Sequence, residues 1–259
     1  KPLAPTLAEA DAMIAAADAA GTHLLVAETA RFNAAYLKAA ELIGSGALGD
    51  LFLTRISREH QMHDYLRQRP WFLRDPAGGI TTSGGIHDFE TVRMLAGEVE
   101  HVYALPARKV LPEMAGDDSS AILAGLQNGA AAVLTESFSL RTPRPGVHLT
   151  AHGSRGSLWL YGSEIRLYTA PRDGQVDQIQ QWTVDPGDTF LAEITHWLDC
   201  LDRGAETPPL ISAREQRKPL LAVLAAYRSM ERGERVSLAE FERTHKQKER
   251  GEKDHGTER

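Results

Sequence analysis

His87 and Glu90 lie three residues apart in Gly78–Gly97, GGITTSGGIHDFETVRMLAG, where a Gly-rich loop runs into a short amphipathic helix. Ile86, Phe89, Val92 and Leu95 give that run one apolar face. On a helix, His87 and Glu90 would be neighbours. A carboxylate beside an imidazole raises its pKa and selects its tautomer, which is the arrangement of a general acid or base. The glycines before His87 permit close backbone approach, and Gly97 sits where a helix stops. A buried or capping histidine is the competing interpretation on these residues alone.

A second polar cluster precedes it. Arg58–Arg74, REHQMHDYLRQRPWFLR, packs His60, His63, Arg67, Arg69, Trp71 and Arg74 into an irregular stretch. Such loops more often line a pocket than support a core. His60, Trp71 and Arg74 are therefore candidate substrate-binding residues. His60 and His63 have no matching second pair of ligands, and no metal site is expected. Arg31 and Asn33 are open between pocket and turn roles.

The elements that must position these residues follow from period and caps. Thr6-Leu7-Ala8-Glu9 is a capping box opening a helix to Gly21. His23–Ala27 reads as a short buried strand, so Lys1–Ala30 looks like the end of an α/β unit. Asn33–Ile43 is a second helix and Leu51–Ser57 a strand. Between them Gly44–Gly49, GSGALG, matches G-x-G-x-x-G. A dinucleotide fingerprint needs a strand before it and a helix after it, and this order is reversed, so the run is read as a turn. Beyond Gly97 come strands at Val99–Lys109, Ser120–Leu126, Ala130–Leu140, Gly146–His152, Ser157–Tyr161, Glu164–Thr169 and Gln178–Val184. Asn128-Gly129 is a hairpin signal. A helix over Asp188–Asp202 should place Phe190, Leu191, Ile194, Trp197 and Leu198 inward, stopping at Gly204. Trp159, Trp182 and Trp197 are assigned to sheet and helix core. Ser212-Ala213-Arg214-Glu215 caps a last helix to about Arg232.

The fold expected is α+β. A large, open, mixed or antiparallel sheet carries helices on one face, after the last helix and strand of a Rossmann-like unit. The segments expected are residues 1–30, residues 31–240, and a disordered polar tail over residues 241–259.

Composition narrows the function classes. At 42% hydrophobic and 25% charged, the chain is of ordinary globular type. A net charge of −6 gives no electrostatic case for nucleic acid. The single cysteine, Cys200, excludes an internal disulfide. No apolar run suits a membrane span and no secretory leader is evident, so a cytoplasmic protein is expected.

The ordered motifs resemble the Gfo/Idh/MocA oxidoreductase family. Lys1-Pro2 resembles the end of its Glu-Lys-Pro motif, and Val26–Asn33 its strand and Arg-Phe-Asn turn. Ser45–Asp50 resembles its Ser-Gly-x-Leu-Gly turn. Trp71, Gly78-Gly79 and Gly85-Ile86-His87 resemble its Trp…Gly-Gly…Gly-x-His block, and Gly233–Val236 its closing Gly-x-x-Val. The resemblance implies a Rossmann domain for NAD or NADP, most of it outside this sequence, and a substrate domain with an open sheet. It implies hydride transfer between NAD(P) and a secondary alcohol of a sugar or cyclitol, in a homodimer or homotetramer. Lys1 and His87 would be catalytic, with Lys1 and Pro2 at the cofactor. Where the family commonly has Asp four before and three after the histidine, this chain has Ser83 and Glu90; both are kept as substrate-site candidates. Those departures keep two alternatives open, a non-redox carbohydrate-binding or scaffold protein and a non-redox lyase or hydrolase.

Overall fold

A computed structural model of the chain describes residues 1–75, 78–107, 109–141, 146–169, 178–185, 187–203, 210–245 and 247. Its frame is one nine-stranded mixed sheet. The strands are β1 (Leu51–Glu59), β2 (Val99–Pro106), β3 (Ser119–Leu126), β4 (Ala131–Ser137), β5 (Gly146–Gly153), β6 (Gly156–Tyr161), β7 (Glu164–Thr169), β8 (Gln178–Thr183) and β9 (Val236–Ser237). Their order is β8-β7-β6-β5-β1-β4-β3-β2-β9. β1 and β4 run parallel, and the other neighbouring pairs are antiparallel. Alternation fixes the register: in β4, Ala132, Leu134 and Glu136 face inward and Ala131, Val133 and Thr135 outward.

Helices cover one face. They are α1 (Leu7–Ala19), α2 (Ala34–Gly44), α3 (Asp64–Arg67), α4 (Pro70–Arg74), α5 (Ile80–Ser83), α6 (Gly85–Leu95), α7 (Thr189–Asp202) and α8 (Ala213–Arg232). The capping box at Thr6–Glu9 forms as its sequence requires. Gly233, at φ +67°, ends α8 in the left-handed conformation. α2, α6 and α8 pack their apolar sides with the inner sheet residues into one core. Ile86, Phe89, Val92 and Leu95 are all buried there. A fully buried side chain of this kind contributes about 1.5–3 kcal/mol, so α6 is held firmly by this face.

The other face of the sheet is open. Leu123 and Trp159 are each 54% exposed on it. Trp159 is therefore not a core residue, because its register position points away from the helices.

Several elements depart from the sequence-based expectations. Residues 23–27 do not form a strand; the segment makes one isolated antiparallel bridge, Leu25 to Ser212. Its pairing partner, Ser212, is the N-cap of α8, so the pairing ends where that helix begins. The Gly-rich stretch before α6 is not a loop, for Ile80–Ser83 closes a helical turn, α5. β1 runs two residues further than read, and α3 and α4 interrupt the stretch taken as irregular. α7 is turned over: Phe190, Leu191, Ile194 and Leu198 are exposed while Glu193 and Cys200 are buried. It packs through that second face onto a 3₁₀ turn at Thr29–Phe32, with the Phe32 and His196 rings 5.4 Å apart. Residues 238–245 are helical, and Glu242 accepts from Arg217 at 2.8 Å, so order extends past residue 240. Gly204 and residues 248–259 lie outside the described residues. Among the described residues no helix is long and apolar enough to cross a membrane.

Candidate active site

α5 and α6 run almost continuously over the ends of β1 and β4. Between residues 79 and 92, Ser83 and His87 alone are not buried. Four apart, they lie on one side of this helical run, opposite the face that enters the core. Two glycines let the run sit so low. A Cβ on Gly84 would come within 2.7 Å of Arg58 Cδ, and one on Gly85 would meet the Glu136 carboxylate. The close approach these glycines permit is thus to protein side chains, not to a ligand.

His87 is half-buried, and its Nδ1 lies 2.5 Å from Glu28 Oε1. Burial pushes the imidazole below its usual pKa, against the Glu28 hydrogen bond, which raises it. Burial also works to raise Glu28, but the His87 bond and charge, the Ala30 N–H and Lys1 outweigh it, and the carboxyl lies below the ordinary range. An ionised Glu28 facing a neutral ring requires that Nδ1 carry the proton and donate it. Nε2 then keeps its lone pair. Glu28 is fully buried and sits at the N-cap of the 29–32 turn, where Oε1 also accepts from Ala30 N at 3.0 Å. Among the described residues its Oε2 has no hydrogen-bond partner.

Lys1, joined to Pro2 by a cis peptide, is exposed as a residue, but its ammonium turns inward and donates to the Ser83 carbonyl. Desolvation lowers its pKa to about 8, against the attraction of Glu28 and with the repulsion of Arg58. Lys1, Ser83 and His87 thus come together from positions 82 and 86 residues apart in the chain (83 − 1 and 87 − 1).

A charged floor lies behind them. Arg58 and Glu136 are register partners at the ends of the parallel pair. Arg58 forks onto Asp88, and Tyr36 hydrogen-bonds Arg58. Burial pushes Tyr36 up to about 12. Glu136 is raised well above the carboxylate range, first by burial and then by Asp88. Its Oε2 accepts from Ser120 at 3.4 Å. Ser120 meets Thr81, and Thr81 donates to Asp117, which accepts from Tyr227 at 2.6 Å. This buried polar chain braces α5 against β3 and α8.

The expected partnership of Glu90 with His87 does not form. Glu90 is fully buried and accepts from Arg31, from Arg93 at 2.5 Å and from Gln216 at 3.2 Å. Its oxygens are committed, which removes it as a substrate contact. Arg31 is spent on that pair, and Asn33 Oδ1 caps α2 at Ala35 N and Tyr36 N. Both belong to the turn. Ser83 stands beside His87, but its Oγ donates to Gly79 O at 2.8 Å. His60 is half-buried on the Arg58–Asp88 side, with its ring 4.8 Å from that of His63. Among the described residues no cluster of metal-ligating side chains occurs. Trp71 and Arg74 stand exposed on α4. Glu28 escaped the sequence analysis; its one local signal is a carboxylate placed just before an Arg-Phe-Asn turn.

The G-x-G-x-x-G run is a structural turn. Arg155 donates to Gly46 O at 2.7 Å, and Ser154 and Arg155 bond back to Asp50 O and Leu48 O. Gly49, at φ +73°, leaves room for the Ser154 side chain rather than for a pyrophosphate. This turn thus offers no phosphate cradle.

Comparison with known proteins agrees with this architecture. A model of the GFO/IDH/MocA C-terminal domain matches residues 36–159. A D-apiose dehydrogenase of Paraburkholderia graminis is 32% identical over 93% of this chain, which spans 66% of that protein's length. A myo-inositol 2-dehydrogenase of Thermotoga maritima is 26% identical, with 93% of this chain and 72% of that protein covered. The crystal structure of an oxidoreductase from Agrobacterium radiobacter, in complex with NAD+, L-tartaric acid and magnesium, superposes with a TM-score of 0.81. That pair is 26% identical, over 92% of this chain and 72% of the other. The chain belongs to the Gfo/Idh/MocA oxidoreductase family, of which it covers the C-terminal part.

Proposed function

We propose that this chain carries the substrate side of an NAD(P)-dependent oxidation of a secondary alcohol on a sugar or cyclitol. The observation that carries the reading is the convergence of Lys1, Ser83 and His87 on one half-open face. His87 Nε2 takes the hydroxyl proton; the O–H bond breaks as an N–H bond forms. A neutral imidazole is needed for this, and burial keeps His87 neutral. After its bond to Ser83 O, the Lys1 ammonium has two further donors. One of them meets the substrate oxygen as it passes from hydroxyl to carbonyl. A bound oxidised nicotinamide supplies the hydride acceptor, and Lys1 and Pro2 would hold its reacting end.

Dehydrogenases of apiose and myo-inositol among the relatives support the substrate class. His60, Trp71 and Arg74 are assigned to the rim of the pocket. The open sheet face is assigned to a homodimer or homotetramer, and the setting to the cytoplasm. The test is turnover by the natural protein at full length, with NAD and NADP in turn, on D-apiose and myo-inositol. His87→Asn should lower kcat about 10²- to 10⁴-fold. Unaltered turnover in that variant would reject His87 as the base.

A further inference from the structure

Residue 83 stands one helical turn before His87, where a carboxylate would face the imidazole from the substrate side. Ser83 supplies none: its hydroxyl donates to Gly79 O and its carbonyl accepts Lys1. The carboxylate that meets the ring comes from behind, from Glu28 in the turn that precedes α2. We propose that Glu28 is the positioning residue of His87, fixing the Nδ1–H tautomer and balancing the imidazolium from behind the ring, so that the Ser83 side carries no carboxylate and stays open to substrate. This rests on the reading of His87 as the base.

Glu28 is more than a cap. Capping the 29–32 turn needs one acceptor, which Ser, Asp or Asn supplies without a buried charge. Here a fully buried carboxylate is retained, and one of its oxygens finds no partner among the described residues. Such a group calls for a role beyond local structure. Its surroundings are charged on several sides. His87 of α6 and Lys1 face it, with Arg58 acting on His87. Glu193 of α7 packs behind, hydrogen-bonded by the Glu28 backbone and near the α-amino group of Lys1. Burial, with the Glu28 charge added, raises Glu193, while Glu28 itself is lowered, so Glu28 is the more readily ionised of the two. Glu28 is thus the carboxylate that can stabilise a protonated His87.

Heteronuclear NMR of the His87 ring in this chain, read without any turnover, gives the first test. The Nδ1–H tautomer is expected, and in Glu28→Gln the ring's titration midpoint should fall by about one pH unit. Gln keeps an acceptor for Ala30 N, so the turn survives. In the full-length protein Glu28→Gln should lower kcat about 10²-fold, and adding Ser83→Asp should restore at least about tenfold by returning a carboxylate to the ring. An Nε2–H tautomer in the unmodified chain, or a Glu28→Gln variant with unchanged midpoint and kcat, would overturn the proposal. Absence of any polyol turnover in the unmodified protein would instead reject the functional reading, leaving the NMR result to judge Glu28.

Discussion

Arg58 and Asp88 form a forked ion pair under the floor of the site. Arg58 Nε donates to both carboxylate oxygens, at 2.9 and 3.0 Å, and Nη2 donates to Oδ1 at 2.5 Å. Asp88 is wholly buried. Removing one partner of such a pair leaves a charge without compensation in a region that water reaches poorly. Asp88→Ala should cost about 3–5 kcal/mol, measured as a fall in the urea midpoint with little change in slope. A loss under about 1 kcal/mol would show that the pair adds little to the fold.

A second buried carboxylate makes a separate prediction. Glu90 draws Arg31, Arg93 and Gln216 onto one point, tying α6 to α8 and to the turn before α2. Glu90→Ala takes the carboxylate from Arg31 and leaves the almost fully buried Arg93 to Glu98 and Glu215. Stability should fall by about 1–3 kcal/mol. Any activity that survives should show a nearly unchanged KM, since Glu90 is closed to substrate. A rise in KM with normal stability would return Glu90 to the pocket.

The pH dependence follows from two groups of opposite requirement. His87 must be neutral, and its folded pKa lies below 6.5. Activity is therefore lost as pH falls through that lowered value. Lys1 must be charged, and its pKa lies at about 8. Activity is lost again as pH rises through about 8. A plot of kcat/KM against pH should be bell-shaped, with its acid limb below 6.5 and its alkaline limb near 8. Stability shares the acid sign. Between the two His87 values the unfolded chain binds the proton and the folded chain does not, so this group lowers stability as pH drops through that window. A flat profile between pH 5 and pH 9 would contradict both assignments.

The sheet's open face carries its own prediction. Leu123, Val133, Arg55, Thr150 and Trp159 form one row across β3, β4, β1, β5 and β6. A second copy of the chain is the occupant assigned to it. Sedimentation of the unmodified protein should give a dimer or tetramer, and Trp159→Asp with Leu123→Asp a monomer of unaltered circular dichroism. A monomeric unmodified protein would reject this face as the interface.

What could be read from the sequence was local and periodic. The α6 face, the Thr6 and Ser212 caps and the turn at Asn128-Gly129 follow from spacing, because the forces involved act within a few residues. The G-x-G-x-x-G run was also decided locally, by the order of its flanking elements. The partner of His87 was not local. Glu28 stands 59 residues away, and only the packing of the 29–32 turn beside α6 brings it to the ring. Glu90 sits at helical spacing, yet Arg93 on the same helix and Arg31 and Gln216 from elsewhere in the chain claim it. α7 misled for a related reason. Its apolar stripe at Phe190, Leu191, Ile194 and Leu198 points outward, while Glu193 and Cys200 face the core. A helical period says that a face exists, not which neighbour covers it.

The most direct measurement is reduction of NAD or NADP by the full-length protein with D-apiose or myo-inositol, comparing the unmodified protein with His87→Asn at pH 7.5 or so. Turnover is expected in the first and a loss of about 10²-fold or more in the second, with folding unchanged. No nicotinamide reduction with any sugar or cyclitol, or equal rates in both proteins, would contradict the proposed reaction.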